Sequence, residues 1–324
     1  MERWSYAKAG VDINKQKEMQ RKILGLIKSR AEGIGSYASS FKLGDMEITL
    51  HVDGVGTKTI LLDKLGRNEI AGWDCVMVNA NDIACEGFKG ILLVDYLATE
   101  KGDPKLSEDI GKGLTKAIES IGAVLAGGET AIMPDVVKGY DISCTLLGTR
   151  YADTREPEPG DKVIAVASTG PHANGYTLIR KLIDAGRLSL DGIEEDIVAP
   201  VANYHNPLLD AMKEGKVKWA AHVTGGAFRK VHERLPKDLG LKLDCWEIPE
   251  VFMRIVKAGN LDPMEAYTTF NMGVGLIVIG DEESIKYFER EGLKAWVAGE
   301  VQKGETRICT PWGGAGYKVR NWQK

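Results

Sequence analysis

The feature that most constrains this chain is a recurring turn, in which an apolar or alternating strand runs into glycines and then into a helix. It occurs at HVDGVGTK (His51 to Lys58), GGET (Gly127 to Thr130), STGPHANGY (Ser168 to Tyr176) and HVTGGAF (His222 to Phe228). Glycine supplies 38 of 324 residues, roughly 12% against a usual level of about 7%, with no collagen period. Strand-to-helix turns of this kind line a loop with backbone N–H groups at a helix N-terminus, where phosphates bind.

The periodicity around these turns gives the organisation. Met19, Ile23, Leu26 and Ile27 predict an amphipathic helix over 15–30, followed by the loop GIGSYASS from Gly33. Strands are expected at 47–52, 90–98, 123–126 and 140–150, and helices at 58–65, 69–86 and from Leu106 to Ile121. The stretch YADTREPEPGD (Tyr151 to Asp161) has two prolines, a glycine and five charged residues without periodicity, so it reads as a linker between domains 1–152 and 153–324. Beyond it, strands at 162–168, 240–245, 272–279 and 294–301 alternate with helices near 175–186, 206–214, 226–235, 249–259 and 281–291. The expected class is α+β, mixed α/β, in two domains.

Composition narrows the function. With 42 basic and 46 acidic residues the net charge is -4, so no global field favours a nucleic-acid backbone and a phosphate ligand needs local donors. The longest apolar runs are too short to span a bilayer and the N-terminus has no apolar leader, so a soluble, cytoplasmic protein with no membrane partner is expected. The five cysteines have no C-x-x-C pair and no zinc-ligand spacing, and are read as reduced, mostly buried thiols.

Chemistry-bearing residues fall on the turns. In HVDGVGTK, Asp53 ends a strand, Gly54 and Gly56 open the backbone, and Thr57 and Lys58 enter a helix. Asp53 can hold Mg²⁺, and Lys58 can lend charge to a phosphate. The spacing is not that of a Walker A loop, and alone the segment could be an ordinary turn. Asn81 and Asp82 are polar residues inside an apolar helix, where a carboxylate is costly unless paired or metal-bound; a solvated helix face is the other reading. Gly128, Glu129 and Thr130 put a third carboxylate on a glycine turn. Gly170, His172 and Asn174 sit on one loop of the second half, and Thr224, Gly225 and Gly226 open a further helix, with Thr224 as an ordinary N-cap in the plainer reading. His51, His205 and His232 read as structural.

Taken in order, YAKAGVD at Tyr6, DGVGTK, VNANDI, DYLAT at Asp95, GGETAIMP, TGPHANGY, AHVTGG and TFNMGVG at Thr269 resemble the phosphoribosylformylglycinamidine cyclo-ligase (AIR synthetase) family over residues 6 to about 307. The resemblance implies ATP-dependent closure of formylglycinamidine ribonucleotide (FGAM) to aminoimidazole ribonucleotide (AIR) with release of ADP and phosphate, in purine biosynthesis. It also implies a homodimer whose N-terminal sheets join into a barrel. It assigns Asp53, Asp82 and Glu129 to Mg²⁺ and ATP, and Lys58 to phosphate charge. Gly54, Gly56, Thr57, Asn81, Gly128 and Thr130 go to the nucleotide. Gly170, Asn174, Thr224, Gly225 and Gly226 go to substrate, and His172 and His222 to substrate contact or proton transfer.

The chain departs from the family pattern at Ile132, where an acidic residue is common, and at Val201 and Ala202, where a basic side chain is lost. Leu24 stands at a frequent lysine position, and Lys22 is a possible substitute. The tail from Thr310 lies beyond the shared pattern. The architecture also resembles that of thiamine-monophosphate kinase, selenophosphate synthetase and a hydrogenase maturation protein. No Cys precedes Cys75 and the chain ends in Trp322, Gln323 and Lys324, so the cysteine-dependent members fit poorly. The kinase stays as the enzymatic alternative, and a catalytically inactive ATP-binding regulator as the non-enzymatic one.

Overall fold

A computed structural model describes residues 3–26, 38–312 and 317–318. The first half runs α1 (Ile13–Leu26), β1 (Ser40–Leu43), β2 (Met46–Gly54), α2 (Lys58–Leu65), α3 (Glu69–Cys85), β3 (Phe88–Thr99), α4 (Pro104–Ile121), β4 (Val124–Ile132) and β5 (Tyr140–Arg150). Its five strands lie in the order β1-β2-β5-β3-β4, antiparallel except for the parallel pair β3–β4.

One face of this sheet carries α3, and the sequence says why. EIAGWDCVMVNANDIAC is apolar around most of its circumference, as a helix covered on all sides must be, and nearly all of it is buried between the sheet and α4. The two helices approach closely because glycines face each other's backbone. A Cβ on Gly72 would lie 2.1 Å from the Ile110 carbonyl oxygen, and one on Gly113 would lie 1.9 Å from that of Glu69. Asp103 caps α4 by accepting from the N–H groups of Lys105 and Leu106, with Pro104 in the first turn, and Gly122 closes it in the left-handed conformation.

The second half runs β6 (Lys162–Ala167), α5 (Tyr176–Asp184), α6 (Glu194–Val198), α7 (His205–Lys213), β7 (Val217–His222), α8 (Ala227–Arg234), β8 (Leu239–Leu243), α9 (Glu250–Gly259), α10 (Pro263–Thr269), β9 (Val274–Gly280), α11 (Ile285–Arg290), β10 (Ala295–Lys303), β11 (Arg307–Ile308) and β12 (Tyr317–Lys318). The sheet order is β12-β11-β8-β10-β6-β9-β7. VGLIVIG of β9 is buried along nearly its whole length, the continuous apolar pattern of a strand covered on both faces. Each half is thus a mixed sheet with helices. Among the described residues no helix is long and apolar enough to cross a membrane.

Most expected elements are present within a few residues of their predicted ends. β7 had no counterpart in the sequence reading, and β4 runs to Ile132 rather than stopping near 126, because pairing with β3 continues through the glycines to Thr99↔Ile132. The predicted helix 15–30 is described to Leu26; Ile27 and most of the GIGSYASS loop lie outside the described residues, as does the Leu24 side chain. The expectation of reduced thiols is corrected for four cysteines. Cys75 on α3 is bonded to Cys144 on β5, and Cys245 to Cys309, leaving buried Cys85 free. Helix-to-sheet packing brings the first pair's Cα atoms to 5.8 Å and strand ends bring the second pair's to 4.7 Å, within disulfide reach. Sequence separations of 69 and 64 give no hint of either.

Candidate active site

Helix α3 projects polar side chains toward both halves. On its sheet side, Asn79 Oδ1 lies 2.8 Å from His51 Nδ1, and Asn79 Nδ2 donates to the Asp53 and Cys75 carbonyls. One turn on, Asp82 Oδ1 lies 2.7 Å from His222 Nδ1 at the end of β7, and Asp82 Oδ2 lies 3.6 Å from His51 Nε2. His222 and Asp82 are buried, so this contact joins the two halves through a desolvated, directional bond. His51, read from sequence as structural, belongs to this cluster. Its signal was position: it lies two residues before Asp53 on β2, hence on the same strand face.

Electrostatics separates the two carboxylates. Asp82 sits below the usual carboxylate range: burial alone would raise it, but Lys230, His222 and His51 together outweigh that. Asp53 is pushed up, first by desolvation and then by the nearby charge of Asp82, with a bond from the Gly54 N–H opposing. Asp53 keeps solvent-accessible surface although surrounding protein desolvates its carboxylate. Lys230, missed in the sequence, lies on α8 with Nζ donating to Thr224 Oγ1 at 3.2 Å.

His172 and Tyr204 complete the arrangement. The rings of His172, Tyr204 and His222 form a triangle with centroids 5.9 to 6.0 Å apart. Both ring nitrogens of His172 are buried without a hydrogen-bond partner, and its backbone is held at φ 60, a strained setting for a non-glycine residue. Burial, then His222 and Lys58, hold its pKa well below the usual histidine value, so the imidazole is neutral. Gly275 makes room for the triangle: a Cβ there would lie 2.0 Å from Tyr204 Oη and 2.6 Å from His172 Cε1.

The glycine turns are placed as follows. Gly54 ends β2, and Gly56 and Thr57 lead into α2, with Thr57 Oγ1 2.9 Å from Thr177 Oγ1 on α5. Gly170 packs on α6, its carbonyl accepting from Asn271. Asn174 and Gly225 face each other, since a Cβ on Gly225 would lie 3.2 Å from Asn174 Oδ1. Gly226, not Thr224, occupies the N-cap of α8.

Three of the expected site residues lie apart from this cluster. Lys58 is fully buried, with Nζ donating to Asp74 Oδ2 at 2.6 Å and to the Ala199 carbonyl at 2.7 Å. Asn81 is likewise buried, giving Nδ2 to the Ala202 carbonyl and Oδ1 to the Tyr204 N–H. Glu129, with Gly128 and Thr130, lies on β4, three strands from β2 in the sheet order; its carboxylate is exposed and accepts from the Thr130 N–H. At about 4.8 Å per strand, Glu129 is roughly 14 Å from the Asp53 strand. Accordingly, no group of three His, Cys, Asp or Glu among the described residues is arranged to hold a metal ion.

Comparison with known proteins agrees with this architecture. The N-terminal domain of AIR synthase related proteins matches residues 35–150, and the C-terminal domain matches residues 158–309. A phosphoribosylformylglycinamidine cyclo-ligase of Sulfurisphaera tokodaii is 41% identical over 306 residues, covering 93% of this chain and 94% of the relative. One from Saccharolobus solfataricus is 40% identical over 287 residues, covering 87% of each. Among solved structures, AaThiL complexed with AMPPCP and TMP superposes with a TM-score of 0.61 at 15% identity, covering 94% of this chain and 95% of that one; this likeness shows the fold alone. The chain belongs to the phosphoribosylformylglycinamidine cyclo-ligase family of AIR synthase related proteins.

Proposed function

We propose that this chain catalyses the ATP-dependent cyclisation of FGAM to AIR, with release of ADP and phosphate, in purine biosynthesis. The observation that carries the reading is the joining of Asp82 and His51 to His222 across the two halves, in a chain 41% identical to a named cyclo-ligase. AaThiL is complexed with AMPPCP, an ATP analogue, which supports ATP as the co-substrate. The kinase alternative has only fold-level likeness behind it.

The chemistry follows from the leaving group. An amide oxygen departs poorly, so the γ-phosphoryl group is transferred to the formyl oxygen of FGAM. The amidine nitrogen then attacks the same carbon, phosphate leaves with the C–O electron pair, and the nitrogen loses its proton. Closure within one molecule benefits from proximity. The Asp82–His222 pair and neutral His172 are suited to receive that proton, because neutral imidazoles accept and Asp82 stabilises the resulting imidazolium. The loops bearing Gly170, Asn174, Thr224, Gly225 and Gly226 bind substrate, with backbone N–H groups available to its phosphate.

Mg²⁺ fits as an ion carried in by the nucleotide rather than one held in a protein cage, since it characteristically binds one or two carboxylates plus phosphate oxygens. Asp53, with Asp82 behind it, is the donor set; desolvation and then the Asp82 charge raise Asp53, and a bound cation would relieve that repulsion. Bound there, the ion would neutralise phosphate charge. Gly54, Gly56 and Thr57 line the nucleotide side, and Lys230 rather than Lys58 supplies the lysine charge.

We also infer a homodimer. The face of the N-terminal sheet away from α3 exposes Leu50, Val52, Val94 and Tyr96, with Val52 66% exposed, and an apolar sheet face of this kind is a partner-binding surface. Joining two such faces would build the barrel. We place the domain boundary at 152/153 and the protein in the cytoplasm, where its charged nucleotides are made.

The test is purified protein with FGAM, ATP and Mg²⁺, following ADP, phosphate and AIR together. Equal, FGAM-dependent amounts of all three are expected. ATP consumption that instead depends on thiamine monophosphate, with no free phosphate, would move the assignment to the kinase.

A further inference from the structure

We propose that Lys58, Asp74 and Asn81 are positioning residues that latch the backbone of 199–204 from the second half onto α2 and α3, and so fix Tyr204 against His172 and His222. The inference rests on the cyclo-ligase reading for its activity readout, but the latch itself is defined by geometry. Lys58 Nζ holds the Ala199 carbonyl, Asp74 Oδ1 accepts from the Val201 N–H at 2.7 Å, Trp73 Nε1 donates to the Val201 carbonyl at 2.8 Å, and Asn81 holds Ala202 and Tyr204 at 2.8 and 2.9 Å. Tyr204 Oη then donates to the Ala167 carbonyl at 2.7 Å.

The energetics argue for position rather than mere stability. Lys58 and Asp74 are both fully buried, and a buried ion pair recovers its desolvation cost with little surplus, so apolar residues of equal volume would hold the fold as well. Apolar residues could not fix one carbonyl and one N–H of a neighbouring segment in a defined place. The latch grips the backbone carbonyls of Val201 and Ala202, so a side-chain change at either position leaves these contacts in place. α3 also presents Asn79 and Asp82 to His51 and His222. One helix therefore sets the distance between the carboxylates and the Tyr204–His172 side of the site.

Two variants and two readouts test this. In Asn81→Ala, amide exchange at Tyr204 should rise about tenfold or more as its acceptor is lost, and kcat should fall at least tenfold with KM for ATP within about twofold, since a displacement near 1 Å can cost that much. The second variant, Lys58→Met with Asp74→Asn, removes both charges at similar volume and keeps an acceptor for Val201. It should lower kcat without raising KM for ATP, whereas a phosphate-binding Lys58 would give a raised KM. Increased exchange with unchanged kcat, unchanged exchange in Asn81→Ala, or a raised KM in the double variant would each overturn the latch. A wild-type protein with protected Val201 and Tyr204 amides but no FGAM-dependent turnover would overturn the cyclo-ligase reading instead.

Discussion

Acidification should destabilise this fold through His205, by an amount that can be worked out. His205 opens α7 and is completely buried. Its Nε2 accepts from the Gly90 N–H at 3.1 Å, and its Nδ1 lies 2.7 Å from Asn206 Oδ1. A nitrogen that accepts a backbone N–H cannot carry a proton without breaking that bond, and desolvation, opposed by Asn206, pushes the pKa from 6.5 to about 4. The folded state therefore binds this proton less readily than the unfolded chain. Stability is fully present above the unfolded pKa and is lost as pH falls from about 6.5 toward 4.

Linkage for one such site gives about 2 kcal/mol lost between pH 7 and pH 5. The comparison that isolates it is His205→Gln, whose side-chain oxygen can accept from Gly90 but does not titrate. Urea unfolding of both proteins at pH 7 and pH 5 should show the wild type losing about 2 kcal/mol more than the variant. His172, shifted in the same direction, remains in both and cancels. Equal losses in the two proteins would refute the argument, because they would mean that His205 is protonated as easily in the fold as out of it.

Other outcomes follow from the same structure. Asp82→Asn should keep the fold and lower kcat about 10² or more, since it removes the charge facing His222 and His51; turnover within twofold of wild type would exclude Asp82 from the chemistry. Gly275→Ala should destabilise by about 1 to 3 kcal/mol through overpacking against Tyr204 and His172, read by thermal melting. Thiol titration of the unreduced, denatured chain should find one reactive cysteine, Cys85, of the five, and reduction should lower the melting temperature; five thiols before reduction would contradict both pairings. Leu50→Glu with Val52→Glu should shift the protein to a monomer by sedimentation, while a dimer unaffected by both would place its interface elsewhere.

What the sequence disclosed and what it withheld have a common physical basis. Helix α2 was legible to the residue, because DGVGTK opens it and Gly66 ends it in the left-handed conformation. Asp82 was legible as a carboxylate in an apolar helix, and TGPHANGY and HVTGG as strand-to-helix loops. β7 was not, because VKWAAH alternates weakly. The far half of β4 was hidden by glycines that read as a turn yet pair as strand. His51 was passed over because a histidine on an alternating strand carries no mark of what faces it. The internal partners of Lys58 and Asn81 were not legible because local pattern fixes which element bears a side chain, while its partner is chosen by packing 121 to 141 residues away.

Those two residues show how the region around α3 is built. A lysine after a glycine turn and an asparagine beside an aspartate both look like ligand groups, since polar side chains are expected where phosphates bind. In the fold, α3 is covered on every side, so each polar group on it needs a partner inside the protein. Asp74 and Asn81 find theirs in the backbone of the second half, Asn79 in the first sheet, and Asp82 in histidines from both. Asp53, on the neighbouring strand β2, keeps solvent-accessible surface. The interior polar groups of α3 are thus committed within the protein before any ligand arrives. Preorganisation of this kind lets the reacting groups be held without being rearranged at each turnover.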